Sequence, residues 1–337
     1  MKTALAFDDV LVEPRFNPIT SRNYTDISTE VAGRTLSGPI IAANMPSVCG
    51  VNMANAMIDF GCGIIHRMCS IEEQVGMLID CEYPTGAAVG IGANDEERAI
   101  ALMGSGAAFI CIDVAHAHQI RTLEIARTIL KRSSDISVII GNIATKDAAV
   151  YFVDNIPTKY HDRVALKVGV GGGSVCTTRV MTGCGVPTLQ SVIDVDNVLH
   201  GTNMTLIADG GIRNSGDIVK CLVAGADAVM LGSLLAGTDQ SPGSVFLNGD
   251  KLVKVYRGAA SHGEKKDFYG EAEYVEGAER LVPYKGDVSD VCSKLIQGVR
   301  SGMTYTGAAN ISELQSKGNF IQITPAGYRE NLPHGII

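Results

Sequence analysis

The chain contains no cysteine pair at metal-binding or redox spacing, no run of basic residues, no long apolar segment and no low-complexity tract. Each absence argues against a class of function. The nine cysteines, at 49, 62, 69, 81, 111, 176, 184, 221 and 292, form no CxxC or finger-like spacing and lie mostly in apolar contexts. That pattern fits free thiols in a reducing compartment, and the expected location is the cytoplasm. Lysine and arginine number 28 against 36 aspartates and glutamates, a net charge of −8, which argues against a nucleic-acid partner, because wrapping a phosphate backbone needs a basic face. Any anionic ligand must then be held by local dipoles. No apolar run reaches the ~18 residues of a membrane span, and MKTALAFDDVLVEP lacks the apolar core of a secretion signal, so no membrane association is expected.

What is present is apolar and glycine-rich. Apolar residues make up 46% and charged residues 19% of 337 residues, enough for a sizeable buried core. The length suits one large α/β barrel as well as two average domains. Eight short apolar runs decide between them: PIIAANM (39–45), GCGIIHR (61–67), GAAVGIG (86–92), FICIDVA (109–115), SVIIGNI (137–143), ALKVGVG (165–171), LIADGGI (206–212) and AVMLGSL (228–234). They are continuous rather than alternating, as parallel strands covered by helices should be. Helix starts lie between them: Ser70 with Glu73 as a capping box, Asn94 before DEERAIALM, and Thr145 before KDAAVYFV. Most runs start 22 to 28 residues apart, and only the sixth interval is longer, at 41. The expected fold is α/β, a single-domain (β/α)8 TIM barrel over 1–337. Residues 256–290 and a tail of surface elements after Thr306 fall outside the repeat.

Ligands of such barrels sit at the C-terminal strand ends, often with phosphate held after strands 7 and 8. Those ends read Asp209, Gly210, Gly211 and Gly232, Ser233. The glycines serve either as tight turns or as close backbone approaches to a phosphate. Asp209 would repel phosphate and is better suited to sugar hydroxyls, so the expected ligand is a phosphorylated sugar or a nucleotide. VGVGGG is not half of a dinucleotide fingerprint, because SVCTTRVMTGCGVP places β-branched residues, Gly and Pro where the helix should run. In the same loop Cys176 lies among glycines, Ser174, Thr177, Thr178 and Arg179. This polar, positively biased setting can lower a thiol pKa and expose sulfur to a ligand, whereas the other eight cysteines read as packing residues. Lys167 is either a Schiff-base amine, as in a phosphosugar lyase, or paired within the barrel with Asp209 or Asp113.

FDDVL (7–11), KVGVGGGSVCTTR (167–179), ADGGIR, VMLGSLLAGT, VYRG, EGAERLVPYKG and RSGMTYTGA together resemble the IMP dehydrogenase and GMP reductase family, across almost the whole chain. The resemblance implies that Cys176, in a loop over about 171–188, attacks C2 of a purine nucleotide. Ser174, Asp209, Gly210, Gly211, Gly232, Ser233, Tyr256, Arg257 and Gly258 would bind that substrate, with the ribose on Asp209. Asp113, Ala115 and Asn142 would face the nicotinamide cofactor, although Asp113 could equally cap a helix. The carbonyls of Gly171, Gly173 and Cys176 match a monovalent-cation shell, K+ in the family. Relatives form homotetramers.

Within the family, strands 2 and 3 are separated here by a single helix, with no room for an inserted regulatory pair of domains. The flap, about 258–285, holds no arginine between Arg257 and Arg280, so the water-activating arginine of dehydrogenases has no counterpart. Thr178 and Glu276 match the pair that handles the ammonia proton in reductases. The closest reading is GMP reductase using NADPH. NADH is left open, because Glu273 stands where animal-type reductases carry a cofactor-contacting arginine. IMP dehydrogenase using NAD is the alternative, and FIQITPAGYRENLPHG resembles the dehydrogenase ending. A phosphosugar lyase and a non-catalytic nucleotide-binding regulator are the readings from other classes.

Overall fold

The computed structural model describes residues 3–258 and 277–331. Eight parallel strands close into a barrel: β1 (Ile40–Ala42), β2 (Gly61–Ile65), β3 (Gly86–Val89), β4 (Phe109–Asp113), β5 (Ser137–Ile143), β6 (Val164–Val168), β7 (Thr205–Asp209) and β8 (Ala228–Leu231). Each coincides with one of the eight apolar runs. Nearly every residue of these strands is buried, because side chains fill the barrel on one face and meet helices on the other.

The covering helices follow in turn: α1 (Val51–Ala56), α2 (Ile71–Ile79), α3 (Asp95–Gly104), α4 (Ile120–Arg132), α5 (Lys146–Asn155), a short α6 (Thr178–Thr182), α7 (Thr188–Leu199) and α8 (Ser215–Val223). On α4 the buried residues Leu123, Ala126, Ile129 and Leu130 recur at helical spacing and form its core face. Ser70 and Glu73 make the expected reciprocal capping box, and Thr145 accepts from Ala148 N–H. Asn94 occupies the cap position of α3 but makes no capping bond. The carboxylate of Asp95 instead accepts Gly90 N–H at 2.9 Å and Gly92 N–H at 2.8 Å, fastening the β3–α3 loop to the helix start.

The long sixth interval consists of the loop after β6, with α6 inside it, placed before the covering helix α7. After β8 the chain leaves the barrel for an antiparallel sheet of β9 (Phe246–Asn248), β10 (Lys251–Arg257) and β11 (Glu279–Pro283). It returns as α9 (Val288–Thr306), which buries Cys292, Leu295, Ile296, Val299 and Met303. The tail is anchored: residues 320–322 pair antiparallel with 10–12, and α10 (Ile311–Lys317) buries Ile311 and Leu314. No helix among the described residues is long and apolar enough to cross a membrane.

Candidate active site

The C-terminal strand ends surround a cavity of about 400 Å³. Its floor is built around Lys167, which is 1% exposed. Lys167 Nζ donates to Asp113 Oδ1 at 2.8 Å, to Asp209 Oδ2 at 2.9 Å and to Asn142 Oδ1. The pairing register of β5 with β6 shifts between Gly141 and Ile143, an irregularity of the kind that re-aims a side chain at a site. Asn142, at that shift, donates through Nδ2 to Gly169 O at 2.7 Å and to Asp209 Oδ2 at 2.8 Å. Gly141 makes room for the lysine, since a Cβ there would lie 2.6 Å from Lys167 Cβ.

These contacts fix the protonation of the floor. Burial by itself would lower the Lys167 pKa, but Asp113 and Asp209 outweigh it and hold the ammonium above its ordinary value. An amine locked in its charged form is a poor nucleophile, and this opposes the Schiff-base role. Burial would raise the Asp113 carboxyl, and the charge and hydrogen bond of Lys167 bring it below the ordinary value instead. Asp113 caps no helix; Gln119 holds the cap position of α4. Asp209 spends Oδ2 on the lysine and on Asn142, and Oδ1 has no hydrogen bond among the described residues.

The cysteine loop is the wall above this floor. Gly169 leaves β6 at φ +145°, where a Cβ would stand 1.9 Å from Asp209 O, so only glycine lets the loop start this close to β7. Arg179 then ties the ends of the loop together: Nε donates to Val170 O at 3.1 Å and Nη2 to Val186 O at 2.5 Å. Besides the positive charge it brings to the cysteine loop, this arginine is the brace of that loop. Cys176 N–H closes a turn onto Gly173 O at 3.1 Å, and the half-buried Cys176 S–H donates to Thr178 Oγ1 at 3.2 Å. Val175 O accepts Ala278 N–H at 2.8 Å, and Cys176 forms a β-bridge with Gly277. The Cys176 backbone is therefore held against Gly277, which with Gly258 flanks residues 259–276.

None of the other eight cysteines lines this cavity. Burial pushes the thiols of Cys49, Cys62, Cys111, Cys221 and Cys292 up, to about 12 for Cys62 and Cys292. Half-buried Cys69 and Cys81 shift the same way. Cys184 departs from the expected packing role, since it is exposed.

Ser174, Gly210, Gly211, Gly232, Ser233 and Tyr256 line the cavity at the ends of β7 and β8 and in the segments from the cysteine loop and β10. A Cβ on Gly232 would approach the Tyr256 hydroxyl to 2.7 Å, so glycine is what lets the tyrosine close over the turn. Burial pushes the Tyr256 pKa up to about 12, with a hydrogen bond to Ser174 pulling weakly the other way, and the phenol stays a neutral donor. Amides and hydroxyls facing a pocket in this way suit an anion such as phosphate.

Asp113, Ala115, Asn142, Gly171, Gly173 and Gly258 also line the cavity. Arg257 does not: on β10 it alternates with inward Tyr256, and its side chain pairs with Glu279 at 3.4 Å. Glu276 and Glu273 lie outside the described residues. Missed in the sequence were Asn44, Met45, Arg67 and Met68, which line the β1 and β2 side. Their signal was present, since they end PIIAANM and follow GCGIIH, at the strand ends where barrel ligands sit. The carbonyls of Gly171, Gly173 and Cys176, the expected cation ligands, belong to one loop, and among the described residues no group of three or more acidic, His or Cys side chains could hold a metal. Such a neutral donor set suits a monovalent rather than a divalent ion. A larger hollow of about 780 Å³ at the N-terminal ends of β3, β4 and β5, between Tyr83, Ser105 and Arg132, includes none of these residues.

Comparison with known proteins agrees with this geometry. The family model for the IMP dehydrogenase / GMP reductase domain matches residues 4–334. Inosine-5'-monophosphate dehydrogenase of Nitrosopumilus maritimus is 32% identical over 477 aligned positions that cover 100% of this chain and 99% of that protein. The Aquifex aeolicus enzyme of the same name is 44% identical over 260 positions, 74% of this chain and 52% of its own length. Among solved structures, a cysteine-to-alanine variant of GMP reductase from Trypanosoma brucei, in complex with guanosine 5'-monophosphate, superposes with a TM-score of 0.94 at 29% identity, covering 100% of this chain and 99% of that one. With a closed eight-stranded barrel, a cysteine loop over its mouth and matches along its whole length, the chain belongs to the IMP dehydrogenase / GMP reductase family, oxidoreductases that act on purine nucleotides.

Proposed function

We propose that the chain is a GMP reductase, converting GMP to IMP and ammonia at the expense of NADPH. Covalent catalysis is supported by one contact above all, the Cys176 sulfur 3.2 Å from Thr178 Oγ1 inside a cavity that also holds the glycine-rich anion end. Cys176 adds to C2 of the purine, and the C2 amino group leaves as ammonia, taking up a proton. Thr178 and Glu276 are assigned to that proton transfer, Glu276 lying outside the described residues. A reduced nicotinamide held beside Asp113, Ala115 and Asn142 would supply the hydride that C2 takes up. The carbon–sulfur bond then breaks and Cys176 is released.

The remaining residues bind and orient. Ser174, Gly210, Gly211, Gly232, Ser233, Tyr256 and Gly258 hold the substrate, and Asp209 presents Oδ1 to the ribose while Lys167 and Asn142 fix its other oxygen. Asp113, Ala115 and Asn142 face the cofactor. The carbonyls of Gly171, Gly173 and Cys176 would hold a monovalent cation, which would brace the turn beneath the sulfur. We further propose a single catalytic domain without the inserted regulatory pair, with α2 followed by β3 after only residues 80–85, assembled as a cytoplasmic homotetramer.

The reductase reading over the dehydrogenase one is supported by the absence of an arginine between Arg257 and Arg280. The dehydrogenase reading is supported by the names of the curated relatives. Enzyme is incubated with GMP and NADPH, and separately with IMP and NAD, following absorbance at 340 nm and ammonia. Ammonia release coupled to NADPH consumption is expected. NADH formation from IMP transfers the assignment to the dehydrogenase. Nucleotide binding with no turnover in either direction would make the chain a regulator.

A further inference from the structure

The anion end of the cavity is itself held from behind. After β8 the chain makes a single turn at 232–236, in which Leu235 N–H and Ala236 N–H donate to Gly232 O at 3.0 and 2.9 Å. The next carbonyls, of Ser233 and Leu234, have no continuing helix to satisfy them. Both accept from Lys285 Nζ, at 2.6 and 2.9 Å. Lys285 arrives from beyond β11 on a segment pinned to the same stretch: Lys285 N–H donates to Gly237 O and Asp239 N–H to Gly286 O, each at 2.9 Å, and Tyr284 Oη donates to Asp239 Oδ1 at 2.8 Å.

Two physical consequences follow from this cap. In a trans peptide the N–H points opposite to the C=O. Drawing Ser233 O toward Lys285 therefore directs Leu234 N–H away from the ammonium, and neither Ser233 N–H nor Leu234 N–H meets an acceptor among the described residues. The ammonium also polarises the peptides it touches and strengthens their donors. Burial lowers the Lys285 pKa to about 8, with no carboxylate offsetting it. A partly desolvated cation whose described partners are two neutral carbonyls gains from an anion on the far side of the turn.

We propose that Lys285 is a positioning residue for the nucleotide phosphate: through the Ser233 carbonyl it sets the direction of Leu234 N–H, and through both carbonyls it places a positive charge behind the turn at Gly232–Leu234. This role rests on the reading of the cavity as a nucleotide site.

The test compares GMP with guanosine, which lacks only the phosphate, by calorimetric titration of the full chain and of Lys285→Met. GMP affinity should fall tenfold or more in the variant, the scale of a lost charge-assisted hydrogen bond, while guanosine affinity stays within twofold. In turnover, KM for the nucleotide should rise with kcat within threefold. Lys285→Arg, which keeps a cation near the same carbonyls, should recover part of the loss. A merely structural lysine would weaken both ligands together, so equal losses for GMP and guanosine, or no loss for either, overturn the proposal. Should Lys285→Met not fold, Lys285→Gln carries the same comparison. If the intact chain binds neither GMP nor IMP, the nucleotide reading fails. Inorganic phosphate then serves as the probe, and unchanged phosphate affinity in the variant overturns the role of Lys285.

Discussion

Replacing Lys167 by methionine tests the floor of the cavity. The side chain is 1% exposed, and its ammonium is the shared partner of Asp113, Asp209 and Asn142. Methionine fills much of the space but removes the ammonium the two carboxylates share, leaving Asp113 only the weaker influence of Arg67. Breaking a buried ion pair from one side costs about 3–5 kcal/mol. Asp113 and Asp209 keep 22% and 21% of their side-chain exposure, so water softens the loss and the lower end, about 3 kcal/mol, is expected. The cost should depend on pH. In the intact protein the Asp113 pKa is held below its ordinary value, so the group adds stability above its unfolded pKa and loses it as pH falls through the folded value. Without Lys167, burial raises that pKa instead. The variant then carries its penalty at neutral pH and sheds it on acidification through the raised value. Denaturant unfolding at about pH 7.5 and about pH 4.5 should therefore show a gap that narrows toward acid, and adding Asp113→Asn to the variant should recover part of it. A loss below about 1 kcal/mol, or a gap unchanged between the two pH values, would refute the account of the floor.

Cys176→Ala is expected to abolish turnover while nucleotide affinity, measured by calorimetry, is retained, because the anion end does not involve the sulfur; turnover in that variant removes the covalent step. Gly232→Ala places a methyl 2.7 Å from the Tyr256 hydroxyl, so nucleotide affinity should drop about tenfold or more, the scale of a displaced hydrogen-bond donor, and unchanged affinity would show that the tyrosine can withdraw freely. Thr145→Ala removes the cap of α5 and should cost about 1 kcal/mol in denaturant unfolding without changing KM.

The sequence by itself determined the barrel. Continuous apolar runs spaced at strand-plus-helix intervals admit few other arrangements, because a parallel strand buried on both faces must be apolar throughout and needs a helix to return the chain. It also marked the glycines at the ends of β7 and β8 and the cysteine in the loop after β6, since residue types that free the backbone or supply a nucleophile stand out locally.

What the sequence left open were partnerships between distant residues. Lys167 could have been a free amine or a paired ion until β4, β5 and β7 surrounded it with Asp113, Asn142 and Asp209. Arg179 stood in the motif as a charge, and only the fold shows it spanning Val170 and Val186, while Arg257 shared a motif with Tyr256 but faces the other way because a strand alternates. Met45 and Arg67 joined the site only when the barrel closed and brought β1 and β2 round to β8. Chemistry-bearing residue types are legible one position at a time, whereas burial, pairing and the direction of a side chain depend on which strands become neighbours.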